Sequence, residues 1–314
     1  MYPVVLGSPP AGSLPVRNDW QGLSITWEAP ATGPFDESGN PLVWDLTDPD
    51  GGVVLTRAGV EGMHNPRITK HSSVARAIPG KRNRGWRAEA RDVFWPIYLW
   101  ADGSAAWLAR QAAFFASIHP ENPGTWRVKA GDQERTLQLT GVFDDPHQFD
   151  RDPMIRGWAL YGVTLEAEQP YWQGQRIRRG PWSAPEAQPF IPEGGGPSFT
   201  ISSSSAFGSA TIPNPGDVEV WGVWSASGPL DAIALGVGDA VISVPFSLET
   251  GDVMVIDTDP RRPTATLNGI DATEQLGLQD YAPVPPGASV PLHVEATGTG
   301  RIMFDLLPLY FRAF

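Results

Sequence analysis

From residue 217 onward the chain has no run of helical period, only short alternating bursts broken by Gly, Pro and Asn. "DVEVWGVWSA", "AIALGVG", "AVISVPFSL", "DVMVIDTD", "TATLNG", "SVPLHVEATG" and "RIMFDLLPLYF" succeed one another at close intervals. An apolar residue at every second position turns one face of an extended chain toward a core and the other toward water. Many such short runs with turn residues between them predict a β-sandwich. Within it, "TGDVMVIDTDPRRPTATLNG" (250–269) predicts one strand and its hairpin partner. Val253, Val255 and Asp257 fall on one face, and Met254, Ile256 and Thr258 on the other. Arg261 and Arg262 fall in the turn, and "TATLNG" returns.

The first 172 residues read as mostly β with a single helix. "WQGLSITW" (20–27) and "VWDLTDPDGGVVL" (43–55) predict short strands, with the turn of the latter at "DPDGG". "RAGVEGMHNPRI" (57–68) is rich in breakers and reads as loop. In 74–100 two extended runs flank "PGKRNRG", read as a turn; the second carries Pro96, which predicts an edge strand or a bulge because proline donates nothing to a ladder. "DGSAAWLARQAAFFASIHP" (102–120) predicts a helix over 104–118, capped by Asp102 or Ser104, with Trp107, Leu108, Ala112, Phe115 and Ile118 on its inner face. Strands resume at 124–131, 135–143 and 157–172. Residues 173–211, dense in Pro, Gly and Ser, predict a connection with at most short strands. The expected organisation is an N-terminal β domain over 1–172, this connection, and a C-terminal sandwich over 212–314. A length of 314 residues suits two domains.

Charge and cysteine narrow the function classes. The net charge is −12: 16 basic and 20 acidic groups in 1–175, then 7 and 15 in 176–314. Such a chain repels phosphate and is no general nucleic-acid binder. With no cysteine, disulfides and thiolate metal sites are excluded. The first residues, "MYPVVLGSPPAGSLPV", lack a basic n-region and a long apolar run, so no secretory signal is expected. No run of 18 apolar residues predicts a membrane span.

The familiar catalytic patterns are missing. His64, His71, His119, His147 and His293 show no metal-ligand spacing. "DDPHQFDRD" (144–152) could hold a cation or be a solvated loop. "GVGD" (236–239) reads as a hairpin turn and not a dinucleotide motif. Asp257 and Asp259 form the obvious carboxylate pair for glycoside hydrolysis, against a reading as the wet end of a strand. Of Trp221 and Trp224, at most one would be free to stack on a sugar. No catalytic residue, metal or cofactor is assigned.

One cluster stands out. Arg67, Lys70, Arg76, Lys81, Arg82, Arg84, Arg87 and Arg91 face Glu89 alone, with Trp86 among them. Three readings stay open: contact with nucleic-acid phosphates, docking onto the acidic surface of a neighbouring copy, or a solvated hairpin. The eight are candidate subunit-interface residues.

Three segments in order, "IPNPGDVEVWGVWSASGPL" (212–230), "VPFSLETGDVMVIDTDPRRPTATLNGID" (244–271) and "VPPGASVPLHVEATGTGRIMFDLLPLYFRAF" (284–314), resemble the C-terminal half of distal tail proteins from long, flexible-tailed bacteriophages. "RAGVEGMHNPRI", the Arg-led strand 91–100, the helix with Trp107 and "LEAEQPYW" resemble their first half. The resemblance implies an N-terminal β-sandwich or barrel-like domain with a helix, then a galectin-like sandwich. It implies a ring, typically of six copies, at the end of the tail tube in the virion, assembled in the host cytoplasm. The expected partners are further copies, the tail tube protein, tail-tip hub and receptor-binding proteins, and host cell-surface saccharide. No enzyme activity, cofactor, membrane insertion or sequence-specific nucleic acid is implied. The alternative from the residues alone is a carbohydrate-binding or carbohydrate-active β protein.

Overall fold

The computed structural model describes residues 22–56, 59–76, 78–143, 153–183 and 210–314. The acidic loop 144–152, its His147 and the N-terminal segment 1–21 lie outside them. The chain divides into two compact units, Met1–Gln173 with Phe311–Phe314, and Gly174–Tyr310. Among the described residues no helix is long and apolar enough to cross a membrane.

The first unit contains β1 (Leu23–Glu28), β2 (Val43–Asp45), β3 (Val53–Leu55), β4 (Ile68–Ala75), β5 (Ile78–Ala88) and β6 (Arg91–Trp100). There follow α1 (Ser104–Ala116), β7 (Gly124–Ala130), β8 (Gln133–Gly141), α2 (Pro153–Arg156), β9 (Trp158–Ala167) and β10 (Trp172–Gln173). An antiparallel path runs β2-β1-β7-β8-β9-β6-β3. Its two ends meet at Leu46: the Leu46 amide donates to Ile25 O at 2.8 Å, and its carbonyl accepts from Leu55 N at 2.9 Å. The sheet thereby nearly closes into a barrel. Inward positions alternate as expected, and the interior is dominated by indoles. Trp27, Trp95, Trp126 and Trp172 are fully buried, each ring 4.8–5.4 Å from the next. Gly124 admits this packing, since a Cβ there would lie 2.3 Å from the Trp27 ring.

Five local expectations need correction. In α1 the buried residues are Trp107 and Phe114, with Ile118 beyond its end, whereas Leu108 and Ala112 are exposed. Alanine covers so much of the helix that the apolar pattern alone does not fix which face turns inward. Neither Asp102 nor Ser104 caps it; Gly103 is the N-cap, at φ 89°, and the Ser104 hydroxyl donates to Met154 O. Pro96 lies in an interior strand without a bulge, in continuous register with β9 on one side and beside β3 on the other. Its carbonyl accepts from Thr56 N, just past the end of β3, so its nitrogen faces the same side, where the ladder has run out. "PGKRNRG" is strand, not turn: the reversal falls between Ala75 and Ile78. Its glycines, Gly80 and Gly85, take positive φ within β5, and register shifts absorb the extra residues. Among the described residues two single-turn helices accompany the one expected helix, α2 and, in the second unit, α3 (Thr273–Leu276).

The second unit comprises β11 (Ile177–Trp182), β12 (Ala210–Pro213), β13 (Gly222–Ser227), β14 (Leu230–Val237), β15 (Ala240–Ser243) and β16 (Val253–Asp257). It continues with β17 (Thr264–Leu267), β18 (Ile270–Asp271), α3, β19 (Ser289–Gly298), β20 (Arg301–Leu306) and β21 (Leu309–Tyr310). β11-β20-β13-β16-β17-β18 form one antiparallel sheet and β12-β19-β14-β15 another. Trp224, Met254, Ile256, Ile302 and Phe304 of the first sheet and Ile212, Ile233, Leu235, Leu292 and Val294 of the second make a buried core, a β-sandwich. β11 and β12 both start within the 173–211 stretch. The 250–269 stretch folds as its alternation predicts: Met254, Ile256 and Thr258 are buried, and Val253 is exposed. Asn268 and Gly269, at φ 54° and 79°, make the tight turn into β18.

Candidate functional site

The residues that suggested chemistry are tied into structure. The Asp257 carboxylate accepts from Asp259 N, and the Asp259 carboxylate accepts from Arg261 N and Nε, each at 3.0 Å. The Arg261 side chain holds Asp259 below the usual carboxylate range, the opposite of what a general acid needs. Trp224 is buried, with its ring 4.5 Å from Phe304. Trp221 is half-buried. His119 Nδ1 accepts from Glu121 N and Asn122 N, closing the turn after α1. His293 lies 3.6 Å from Glu295 on the same strand. Among the described residues no group of three or more His, Asp or Glu is placed to hold a metal.

The sequence motifs quoted for the C-terminal unit have structural duties. Asn214 is buried and donates through Nδ2 to Val218 O and Val284 O, while Oδ1 accepts from Gly216 N, all at 2.9 Å. It ties the 214–218 loop to the chain at Val284, beside the Val220–Val284 bridge. Thr258, also buried, donates its hydroxyl to Gly222 O at 2.8 Å. Asp252 accepts from Glu249 N and Asn268 Nδ2, joining the two ends of the β16–β17 hairpin.

The basic cluster is the candidate that reaches the surface. Among the described residues β4 and β5 pair only with each other, as a two-stranded sheet apart from the barrel. Arg67, Lys70, Arg76, Lys81, Arg82, Arg84 and Arg87 are all exposed, Arg67 lying just before this arm and the others along it. Arg84 donates to the Ser73 hydroxyl at 3.0 Å, and Arg87 pairs with Glu89 through two bonds of 3.0 and 3.1 Å. Glu89 is held below the usual carboxylate range, chiefly by a hydrogen bond from Thr69 and then by Arg87. Apolar side chains share the surface: Ile68 is 38%, Trp86 47% and Val74 70% exposed. A two-stranded ribbon in water is marginal by itself, and one carrying exposed Val, Ile and Trp gains stability by covering them.

Arg91 does not belong to that face. It starts β6, is 3% exposed, and turns inward. Nε donates to Pro170 O at 2.6 Å, Nη1 to Gly62 O at 2.6 Å and to His64 O, and Nη2 to Phe311 O at 2.8 Å. Burial pushes its pKa down to about 10, which leaves it charged at neutral pH. An arginine in a basic run looks like its neighbours in sequence. The missed signal was position: it opens an alternating apolar strand.

No protein-family model matches the sequence, and no curated protein matches it. Solved structures do match. The crystal structure of SPP1 Dit (gp 19.1), described as a paradigm of the hub adsorption apparatus in phages infecting Gram-positive bacteria, aligns with a TM-score of 0.57 and 14% identity, covering 90% of this chain and 98% of that one. A chain of the phage P2 baseplate in its activated conformation with Ca aligns with a TM-score of 0.53 and 11% identity, over 91% of this chain and 98% of that one. The same baseplate with Sr gives 0.51 and 12%, over 91% and 97%. Across both of its units, this chain shares the fold of phage hub and baseplate proteins.

Proposed function

We propose that this chain is a structural protein of a phage virion, a distal tail protein that forms a ring at the end of the tail tube. The observation that carries the reading is the extent of the fold match: SPP1 Dit is covered over 98% of its length, in both units, and not through one common sandwich alone. In this reading the N-terminal units stand side by side, in six copies, around a channel. The C-terminal sandwich, galectin-like, projects outward. The ring joins the tube protein to tail-tip and receptor-binding proteins, and its place is the virion tail tip. The bonds that tie up the Asp257 and Asp259 carboxylates support a role in assembly over glycoside hydrolysis at this pair.

The β4–β5 arm serves as the subunit contact. Ring contacts are heterologous, so each copy needs two complementary surfaces. Seven exposed cations on a chain of net charge −12 supply one of them, and the acidic remainder supplies the other. Negative-stain electron microscopy of purified protein and of assembled tails tests the reading. Symmetric rings are expected; a strict monomer at every concentration and in tails would overturn it.

A further inference from the structure

The segment Phe311–Phe314 belongs to the N-terminal unit, although the whole of Gly174–Tyr310 lies between it and the rest of that unit in sequence. It is held by backbone and side-chain bonds to residues distant in sequence. Ala313 N donates to Met63 O at 2.8 Å. The Phe311 carbonyl accepts from Arg91 at 2.8 Å and the Arg312 carbonyl from Arg135 at 2.7 Å. The Arg312 Nε donates to Asn65 Oδ1 at 3.1 Å. One main-chain bond and three bonds from or to side chains hold the segment, while Arg312 and Phe314 stay exposed. Ala313 is buried. The Phe311 ring lies 5.8 Å from Tyr171 and 6.0 Å from Trp86, and the Phe314 ring 6.4 Å from His64.

Two of these contacts have consequences beyond local packing. Trp86 is on β5, so the Phe311 ring is packed at the base of the basic arm. Arg91 is buried and divides its donors among Gly62, His64, Pro170 and Phe311. Removing the segment takes away one acceptor from a buried cation and uncovers aromatic surface where the arm begins.

We propose that Met63, Asn65, Trp86, Arg91, Arg135 and Tyr171 form a peptide-binding site whose ligand is Phe311–Phe314, and that its occupancy orders the arm. A chain without this segment lacks the ligand, so only chains that carry it present a docked arm for assembly. The last clause rests on the reading of the arm as the subunit contact; the site and its effect on the arm do not.

The test uses the full chain with a protease site, flanked by Gly and Ser, inserted between Tyr310 and Phe311. The protein folds with its ligand attached and is cut afterwards. After the released peptide is washed out, the N-terminal unit should melt lower by roughly 5–10 °C, the shift expected when a bound ligand is withdrawn. Trypsin should then cut the arm at Lys81, Arg82, Arg84 and Arg87 about tenfold faster, because local opening governs proteolysis. Added synthetic peptide ending in Phe-Arg-Ala-Phe should restore both readings, and should bind Arg91→Lys at least about fivefold more weakly, as expected when a guanidinium fork is replaced by a point charge. Unchanged melting and unchanged arm cleavage after washout would overturn the proposal. So would a loss that the added peptide does not reverse. Both readouts are taken on unassembled protein. If they behave as expected and the uncut chain still forms no ring, the ring reading fails and the peptide site stands.

Discussion

Replacing Ile256 by Ala should lower the stability of the C-terminal unit by about 3 kcal/mol. Ile256 is 1% exposed, on β16, and stands directly opposite Trp224 of β13 and Ala265 of β17. The substitution removes three carbons from contact with Trp224 and its neighbours. Transfer of those carbons accounts for about 2.4 kcal/mol at roughly 0.8 kcal/mol each. The rest is the void left where flanking strands cannot collapse, because both are fixed by ladder bonds. In a unit of this size that corresponds to a melting shift of roughly 10 °C. Ile256→Val removes one carbon and should cost about 1 kcal/mol.

Ile256→Asp goes further. The carboxyl must either stay ionised in an apolar core or be kept neutral at pH 7, and lifting its pKa from about 3.9 to above 7 adds roughly 4 kcal/mol to the lost packing. The total approaches the whole stability of an ordinary domain, about 5–15 kcal/mol, so the unit should be unfolded. Urea unfolding read by tryptophan emission checks this, with Trp224, whose ring lies 4.5 Å from Phe304, as one of the 13 tryptophans that contribute, and far-UV circular dichroism as the second probe. An Ala variant within about 0.5 kcal/mol of wild type, or a soluble Asp variant with unchanged melting, would refute the assignment of this face to the core.

The other expectations are narrower. Asn214→Ala takes away the donor to the Val218 carbonyl, the acceptor of the Gly216 amide and one of the two donors to Val284 O, which keeps the Val220 amide, and should cost about 2–4 kcal/mol, measured by the same urea titration. Reversing charge on the arm, Arg82, Arg84 and Arg87 to Glu, should leave the melting temperature within a few degrees yet abolish rings in negative stain; wild-type assembly would dispose of the arm as the contact. Acid should weaken the C-terminal unit first. Asp252, Asp259, Asp271 and Asp305 all lie below the usual carboxylate range, through Asn268, Arg261, Thr273 and Arg178 respectively. With these pKa values depressed by folding, the unfolded chain takes up protons first, near pH 3.9, so the stabilisation is complete above that pH and is lost as pH falls through the folded values. Calorimetry between pH 6 and about pH 3 checks this, and a pH-independent midpoint would contradict it.

Much of the fold was legible because β-alternation and turn chemistry act within a few residues. The faces of 253–258, the turn at Asn268–Gly269 and the existence of α1 all follow from neighbours in sequence. A motif such as Asn-Pro-Gly-Asp was visible without its reason, because the carbonyl of Val284 that Asn214 serves lies far along the chain. The candidate site was legible as a basic cluster. Which of its cations reach water was not, since Arg67 to Arg87 and Arg91 differ only in what the rest of the chain places around them.

The sequence by itself determined that this is a β-rich chain with one substantial helix, a C-terminal sandwich and a basic cluster, because those outcomes depend on local backbone preference, short-range periodicity and composition. Only the tertiary structure decided the phase of an alanine-rich helix, the place of Pro96 in an interior strand, the inward turn of Arg91 and the return of Phe311–Phe314 to the first unit. Each of these is fixed by a partner from a separate strand, loop or helix, which local periodicity does not identify.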